Sequence, residues 1–180
     1  MTTTTAFAVP QRNEVSENNQ AIFDQLKQQI GFVPNLYAYY AKNDTALKDY
    51  LALQHRKSTL RAKEREVINL VTSEFNSCQY CLAAHTAIGK MNGFTDEQIL
   101  EIRSGSAAFD SKLNALAQFT LAVVSSKGKV TEDQKNAFLE AGYTEAQLID
   151  TVIVVGDKII SNYLHNIAQF EIDFPLAEKL

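Results

Sequence analysis

No stretch of the 180-residue sequence approaches the roughly 18 consecutive apolar residues that a membrane-crossing helix needs. Positive charge is also scarce. Lys and Arg number 17 against 21 Asp and Glu, a formal net charge of −4, and the basic residues are scattered with no aromatic-interleaved patch. That distribution excludes the electrostatic footprint of nucleic-acid or anionic-lipid binding, so neither nucleic acid nor membrane is expected as a partner. The first residues, Met1-Thr2-Thr3-Thr4-Thr5-Ala6-Phe7-Ala8-Val9-Pro10, lack the cationic start and apolar length of a secretory signal. They read as a disordered tail over 1–12, ahead of one domain over 13–180. Cysteine is confined to two residues. With 46% hydrophobic residues the chain can bury an interior without disulfide staples or structural metals. Two cysteines three positions apart, with no secretion signal, point to redox or metal chemistry in a reducing cytoplasmic setting.

Only three prolines break the chain, and what lies between them has helical period. Ser16 caps a first helix whose apolar residues are Ile22, Phe23, Leu26 and Ile30, stopped by Gly31. A short aromatic helix with Leu36, Tyr37, Tyr39 and Tyr40 follows Pro34, and Asp44 opens another carrying Leu47, Tyr50 and Leu51. A stronger one covers 62–75, with Val67, Ile68, Leu70, Val71 and Phe75. Asn76-Ser77 interrupts it, and the next runs from Cys78 to Met91, ended by Asn92-Gly93. Thr95 with Gln98, Thr131 with Gln134, and Thr144 with Gln147 have capping-box spacing, so three helices begin there. Another carries Leu113, Leu116, Thr120, Leu121 and Val124 up to Gly128, and the last and most apolar covers about 145–169. The expected fold class is all-α. Gly93-Phe94-Thr95-Asp96-Glu97-Gln98-Ile99 echoes Gly142-Tyr143-Thr144-Glu145-Ala146-Gln147-Leu148. Either convergence on good capping or a pseudo-repeat explains that echo.

The chemistry concentrates between Glu66 and His85. At about 100° per residue, Cys78, Cys81 and His85 share one helical face, and cysteines at i and i+3 lie within disulfide reach. An ordinary thiol with pKa near 8.5 is only about 3% thiolate at neutral pH. Lowering that pKa by two units takes about 2.7 kcal/mol, of which a helix N-terminus supplies about 0.3–1 kcal/mol. A nearby imidazole can supply the rest. Glu66, twelve residues before Cys78 on the preceding helix, can orient His85 if the two helices pack antiparallel. The helix dipole favours Cys78 as the more acidic thiol, and nearness to His85 favours Cys81. These residues leave both open.

A Glu, eleven residues, Cys-x-x-Cys, three residues and a His resembles the alkylhydroperoxidase D core of the carboxymuconolactone decarboxylase superfamily. Gly31-Phe32-Val33-Pro34-Asn35-Leu36 and the segments Asn162-Tyr163 and Asp173-Phe174-Pro175 resemble the ends of its longer, roughly 180-residue peroxidase-related members. The resemblance implies an all-helical fold, a homo-oligomer (trimer or hexamer), and reduction of organic hydroperoxides with an external dithiol or thiol as reductant. It needs no cofactor and no metal. By position, Cys81 is implied as the attacking thiolate and Cys78 as the resolving thiol, with His85 and Glu66 as the proton relay. One departure stands out. Well-known members carry His immediately before the second cysteine, where this chain has Tyr80, a poor base near neutrality and a candidate pocket residue. The decarboxylase branch generally lacks the cysteine pair, which disfavours decarboxylation.

Plainer readings stand beside these. The cysteines can be small buried hydrophobes, or with His85 and Glu66 a four-ligand metal site, although Cys-x-x-Cys-x3-His on one helix is not a usual zinc pattern. A disulfide oxidoreductase or redox sensor acting on a protein partner uses the same thiols without peroxide turnover. His165, with Lys158, Asn162, Asn166 and Gln169, reads as the solvated stripe of the last helix. His55 reads as helix-end surface, and Tyr37, Tyr39 and Tyr40 as core or interface.

Overall fold

Capping chemistry sets the helix boundaries. The computed structural model describes residues 7–180, so the first six residues of the expected tail lie outside the described residues. Beyond a short 3-10 turn at Arg12–Glu14, the helices are α1 (Glu17–Ile30), α2 (Asn35–Tyr40), α3 (Ala46–Gln54), α4 (Ala62–Phe75), α5 (Gln79–Met91), α6 (Asp96–Arg103), α7 (Ser111–Ser126), α8 (Glu132–Glu140) and α9 (Glu145–Ala168). No strand occurs among the described residues. The Ser16 side chain accepts from the Asn19 N–H, and α1 ends on Gly31 at φ 88°, a left-handed turn that glycine enters without strain. All three expected capping boxes are present: Thr95–Gln98 and Thr131–Gln134 at the starts of α6 and α8, and Thr144–Gln147 ahead of α9. The start of α3 differs from expectation. Asn43, not Asp44, offers the cap, its Oδ1 accepting from the N–H groups of Thr45 and Ala46.

The described residues form two units. The first takes residues 7–56 and 164–173. Phe23, Ala38, Ala41 and Leu47 make its core, with Tyr40 stacked on Tyr50 at 4.3 Å and Tyr39 on Phe170 at 5.1 Å. The Phe7 N–H donates to the Ala168 carbonyl at 2.9 Å. His165 corrects the sequence reading, being buried rather than solvated, with Nε2 facing the Phe170 carbonyl at 3.1 Å.

The second unit takes residues 57–163 and 174–180. Helix α4 is central to it, packing against α5, α6 and α7, while α8 packs on α7. Val67, Ile68, Leu70 and Val71 of α4 are buried in one cluster with Ile99, Ile102, Leu116, Phe119 and Phe138. Phe138 lies between Phe119 and Tyr143, at ring separations of 4.4 and 4.6 Å. The Gly-aromatic-Thr echo extends into three dimensions. Lys63, near the start of α4, donates to the Gly93 carbonyl and lies over the Phe94 ring. Lys112, near the start of α7, donates to the Gly142 carbonyl and lies over the Tyr143 ring. Both pairs are separated by 30 residues, so each half closes a helical hairpin with the same latch.

Two outcomes follow from this packing. Phe138→Ala removes a fully buried ring and is expected to cost about 3–5 kcal/mol of stability in urea unfolding. His165 is held below its ordinary pKa because burial disfavours the cation more than the Phe170 carbonyl favours it. The unfolded chain therefore takes up a proton near pH 6.5 that the folded chain refuses until lower pH. Stability is expected to be complete above that pH and to fall as pH drops through the window. His165→Asn flattens the fall in a pH series of melting curves.

Candidate active site

The α4–α5 turn puts both sulfurs at the positive end of a helix. Ser77 adopts φ 54°, and the Cys78 N–H returns to the Ser73 carbonyl at 3.0 Å. Cys78 then becomes the N-cap of α5, its sulfur accepting from the Cys81 N–H at 3.3 Å in the place a serine oxygen usually fills. The Cys78 thiol also donates to the Cys81 sulfur, 2.7 Å away. Both thiols are free and buried, Cys78 0% and Cys81 2% exposed.

The antiparallel return from α4 to α5 brings Glu66 to His85, with Glu66 Oε2 2.8 Å from His85 Nδ1. Asn69 Nδ2 donates to the other carboxylate oxygen at 2.8 Å. Burial alone pushes the Glu66 carboxyl up, but His85, Asn69 and the charge of Lys158 together hold it below the usual carboxylate range. The far side of the imidazole is occupied too. Lys158 Nζ on α9 lies 3.2 Å from His85 Nε2 and 3.5 Å from Asp157 Oδ2, and its side chain is 3% exposed.

Sequence reasoning missed that lysine. It set Lys158, Asn162 and His165 on a solvated stripe of the last helix, and the structure buries all three. Asn162 Nδ2 donates to Ser73 Oγ at 3.3 Å, and its Oδ1 accepts from Asn76 Nδ2 at 2.9 Å. The exposed side of α9 carries Ile149, Val152, Ile160 and Tyr163 instead, so in this unit the helix turns polar residues inward and apolar ones outward. The signal that could have found Lys158 and Asn162 is their i, i+4 spacing on a helix whose remaining faces are apolar throughout.

These neighbours separate the two thiols. The hydrogen bond from Cys78 lowers the Cys81 pKa below the ordinary thiol range; burial opposes it, and Lys158, then His85, then a hydrogen bond from Asn162 reinforce it. The same contact raises Cys78, with burial adding to the effect. The first proton of the pair therefore leaves easily and the second is retained, the behaviour of a coupled dithiol. Tyr80 is buried, its ring meeting Phe174 edge-on at 5.7 Å, so it is part of the packed cover rather than a free base. Among the described residues, no group of three or more His, Cys, Asp and Glu side chains is arranged to hold a metal ion, and no helix is long and apolar enough to cross a membrane.

Residues 38–123, which contain Glu66, both cysteines and His85, match the family model of the carboxymuconolactone decarboxylase family. No curated protein gives a significant match. Among solved structures, the chain is similar to an alkylhydroperoxidase AhpD core, an uncharacterized peroxidase-related protein from Ralstonia eutropha JMP134. The TM-score is 0.84 at 22% identity, covering 96% of this chain and 94% of that one. An uncharacterized peroxidase-related protein from Silicibacter sp. TM1040 gives 0.82 at 22% identity, over 93% and 91%. A cysteine-to-alanine variant of the debrominase Bmp8, in complex with 2,3,4-tribromopyrrole, gives 0.76 at 15% identity, over 94% and 92%. At these identities the solved structures speak for the fold, and the family model speaks for the stretch that holds the thiols. Residues 38–123 thus resemble the carboxymuconolactone decarboxylase family, within an all-helical fold similar to that of an alkylhydroperoxidase AhpD core.

Proposed function

We propose that this protein is a thiol-dependent peroxidase that reduces organic hydroperoxides through a Cys78–Cys81 dithiol–disulfide cycle. The observation that carries the reading is the Cys78 thiol donating to the Cys81 sulfur at the N-terminus of α5, beside the Glu66–His85–Lys158 chain. The thiolate, not the thiol, attacks peroxide, and these neighbours favour it at Cys81. In the cycle, the Cys81 thiolate takes the terminal peroxide oxygen and becomes a sulfenic acid, releasing the alcohol once a proton is supplied. Cys78 condenses with the sulfenic acid, forming the disulfide and water. An external dithiol then resets the pair by exchange. Tyr80 packs against Phe174, so the relay runs without the histidine that well-known members carry at that position.

Burial shapes the kinetics. With Cys81 only 2% exposed, its sulfur meets substrate when the cover opens. A second reading, halogen removal from a halopyrrole by the same thiols, is favoured by the fold shared with the debrominase. Bromide release with formation of the Cys78–Cys81 disulfide distinguishes it. Stoichiometric oxidation by peroxide with no turnover under any dithiol points instead to a redox sensor.

The deciding experiment follows cumene hydroperoxide consumption with dithiothreitol as reductant. Cys81→Ser is expected to lose activity by about a hundredfold or more. With the reductant left out, Cys78→Ser is expected to consume one equivalent of peroxide and stop, with Cys81 trapped as a sulfenic acid by dimedone. If both variants turn over like the parent, the proposal fails. Because the Cys81 pKa is lowered, the single-turnover rate is expected to hold a plateau at neutral pH and fall as pH drops through that lowered value. An ordinary thiol would still be gaining rate up to about pH 9.

With a bulky aromatic disulfide as thiol reagent, modification of the native parent is expected to level off as reagent concentration rises. The plateau reports the opening rate of the cover, read by stopped-flow absorbance. A rate linear in reagent throughout would show that Cys81 is reached without opening.

A further inference from the structure

Lys158 is a buried amine on α9, 73 residues from the histidine it meets. The charged and titratable groups it faces are Glu66 on α4, Cys78, Cys81 and His85 on α5, and Asp157 beside it on α9. The contact with His85 constrains the protons. A 3.2 Å approach between two nitrogens is a hydrogen bond only if one donates and the other accepts. An ammonium facing an imidazolium would put two hydrogens on one axis, so the Lys158–His85 pair carries one positive charge, not two.

An aliphatic amine is a stronger base than an imidazole. The shared proton therefore belongs to the lysine. His85 is then neutral: its Nδ1–H donates to Glu66 and its Nε2 lone pair accepts from Lys158. An imidazole held at both ends is not free to draw the proton from Cys81.

We propose that Lys158, rather than an imidazolium at His85, is the cation that keeps Cys81 ionised, and that the Lys158–His85 pair stores the proton the peroxide step consumes. This rests on the reading of Cys81 as the reactive thiolate. The resting site holds the Cys81 thiolate, the Cys78 thiol and one proton on the pair. Attack on the terminal peroxide oxygen forms the S–O bond of the sulfenic acid and breaks the O–O bond. The departing alkoxide takes the stored proton and leaves as alcohol, with the amine and imidazole both neutral. Condensation with Cys78 expels water. When an external dithiol reduces the disulfide, its two protons return, one to Cys78 and one to the pair, and its two electrons restore the sulfurs. Lys158 acts through the thiolate and the imidazole, and is a positioning and charge-supplying residue.

The test measures alkylation of Cys81 by iodoacetamide against pH, mapped by mass spectrometry, in the parent and in Lys158→Met, Lys158→Arg and His85→Gln. Lys158→Met, a replacement of similar length, is expected to raise the midpoint by about one pH unit or more, so that the rate at a pH well below the parent's midpoint falls roughly tenfold. Lys158→Arg keeps the cation and is expected to restore the midpoint. It also holds its proton too tightly to release it, so the peroxide step stays slow. His85→Gln is expected to move the midpoint less than Lys158→Met does. An unmoved midpoint in Lys158→Met, or a larger shift in His85→Gln, overturns the proposal.

Should the methionine variant not fold, the nitrogen chemical shifts of His85 in the parent decide the matter. A neutral ring protonated on Nδ1 at neutral pH supports the proposal, and an imidazolium refutes it. The two proposals fail separately. A parent without peroxide turnover whose thiol midpoint still rises in Lys158→Met refutes the peroxidase and supports the lysine. Turnover with a midpoint indifferent to Lys158 does the reverse.

Discussion

A carboxylate taken out of water must be answered by charge and hydrogen bonds, and Glu66 is answered by a chain that crosses three helices. Its two oxygens meet Asn69 on α4 and His85 on α5, and the far nitrogen of His85 meets Lys158 on α9. Removing any one partner leaves a buried ion or a buried polar atom unpaired, which costs far more than an exposed pair contributes. The helices around α4 are therefore held in register by electrostatics as well as by apolar packing. α9 accepts the unusual arrangement of polar residues inside and Ile149, Val152, Ile160 and Tyr163 outside.

That chain also adds to the difference between the two sulfurs. In isolation they differ little, since both sit at the positive end of α5. Position in the first turn would even favour Cys78, the residue nearest the helix dipole. The contest is decided by hydrogen bonding. The Cys78 thiol donates a hydrogen bond to Cys81, and Lys158 and Asn162 support the second sulfur. A dipole effect of about 0.3–1 kcal/mol is the smaller one here, against charge-assisted hydrogen bonds of about 1.5–3 kcal/mol each.

How much of this was legible in the sequence follows from how far each signal reaches. Local signals held: Ser16 and three Thr–Gln boxes start helices where expected, because a cap is decided by residues three apart. Helices over 62–75 and from Cys78 to Met91 are readable for the same reason, whereas the contact of Glu66 with His85 depends on antiparallel packing of α4 and α5, which the sequence allows and the structure supplies. Lys158, Asn162 and His165 were misread because helical periodicity shows that a polar stripe exists, not which way it faces. α9 has apolar residues on most of its circumference, so the interior could have been either side. The cap of α3 differs for a smaller reason: Asn43 and Asp44 are adjacent residues of capping type, and it is Asn43 whose side chain accepts from the Thr45 and Ala46 N–H groups.

The paired lysine latches have one more consequence. The offset that carries Lys63 to Lys112 and Phe94 to Tyr143 also carries Glu66 to Ala115, Cys78 to Lys127, Cys81 to Val130 and His85 to Gln134. One hairpin thus holds the cysteine pair with Glu66 and His85, while its twin keeps the scaffold and none of those side chains. The molecule contains its own blank, and comparing the halves separates what a latch demands of a sequence from what a thiolate demands.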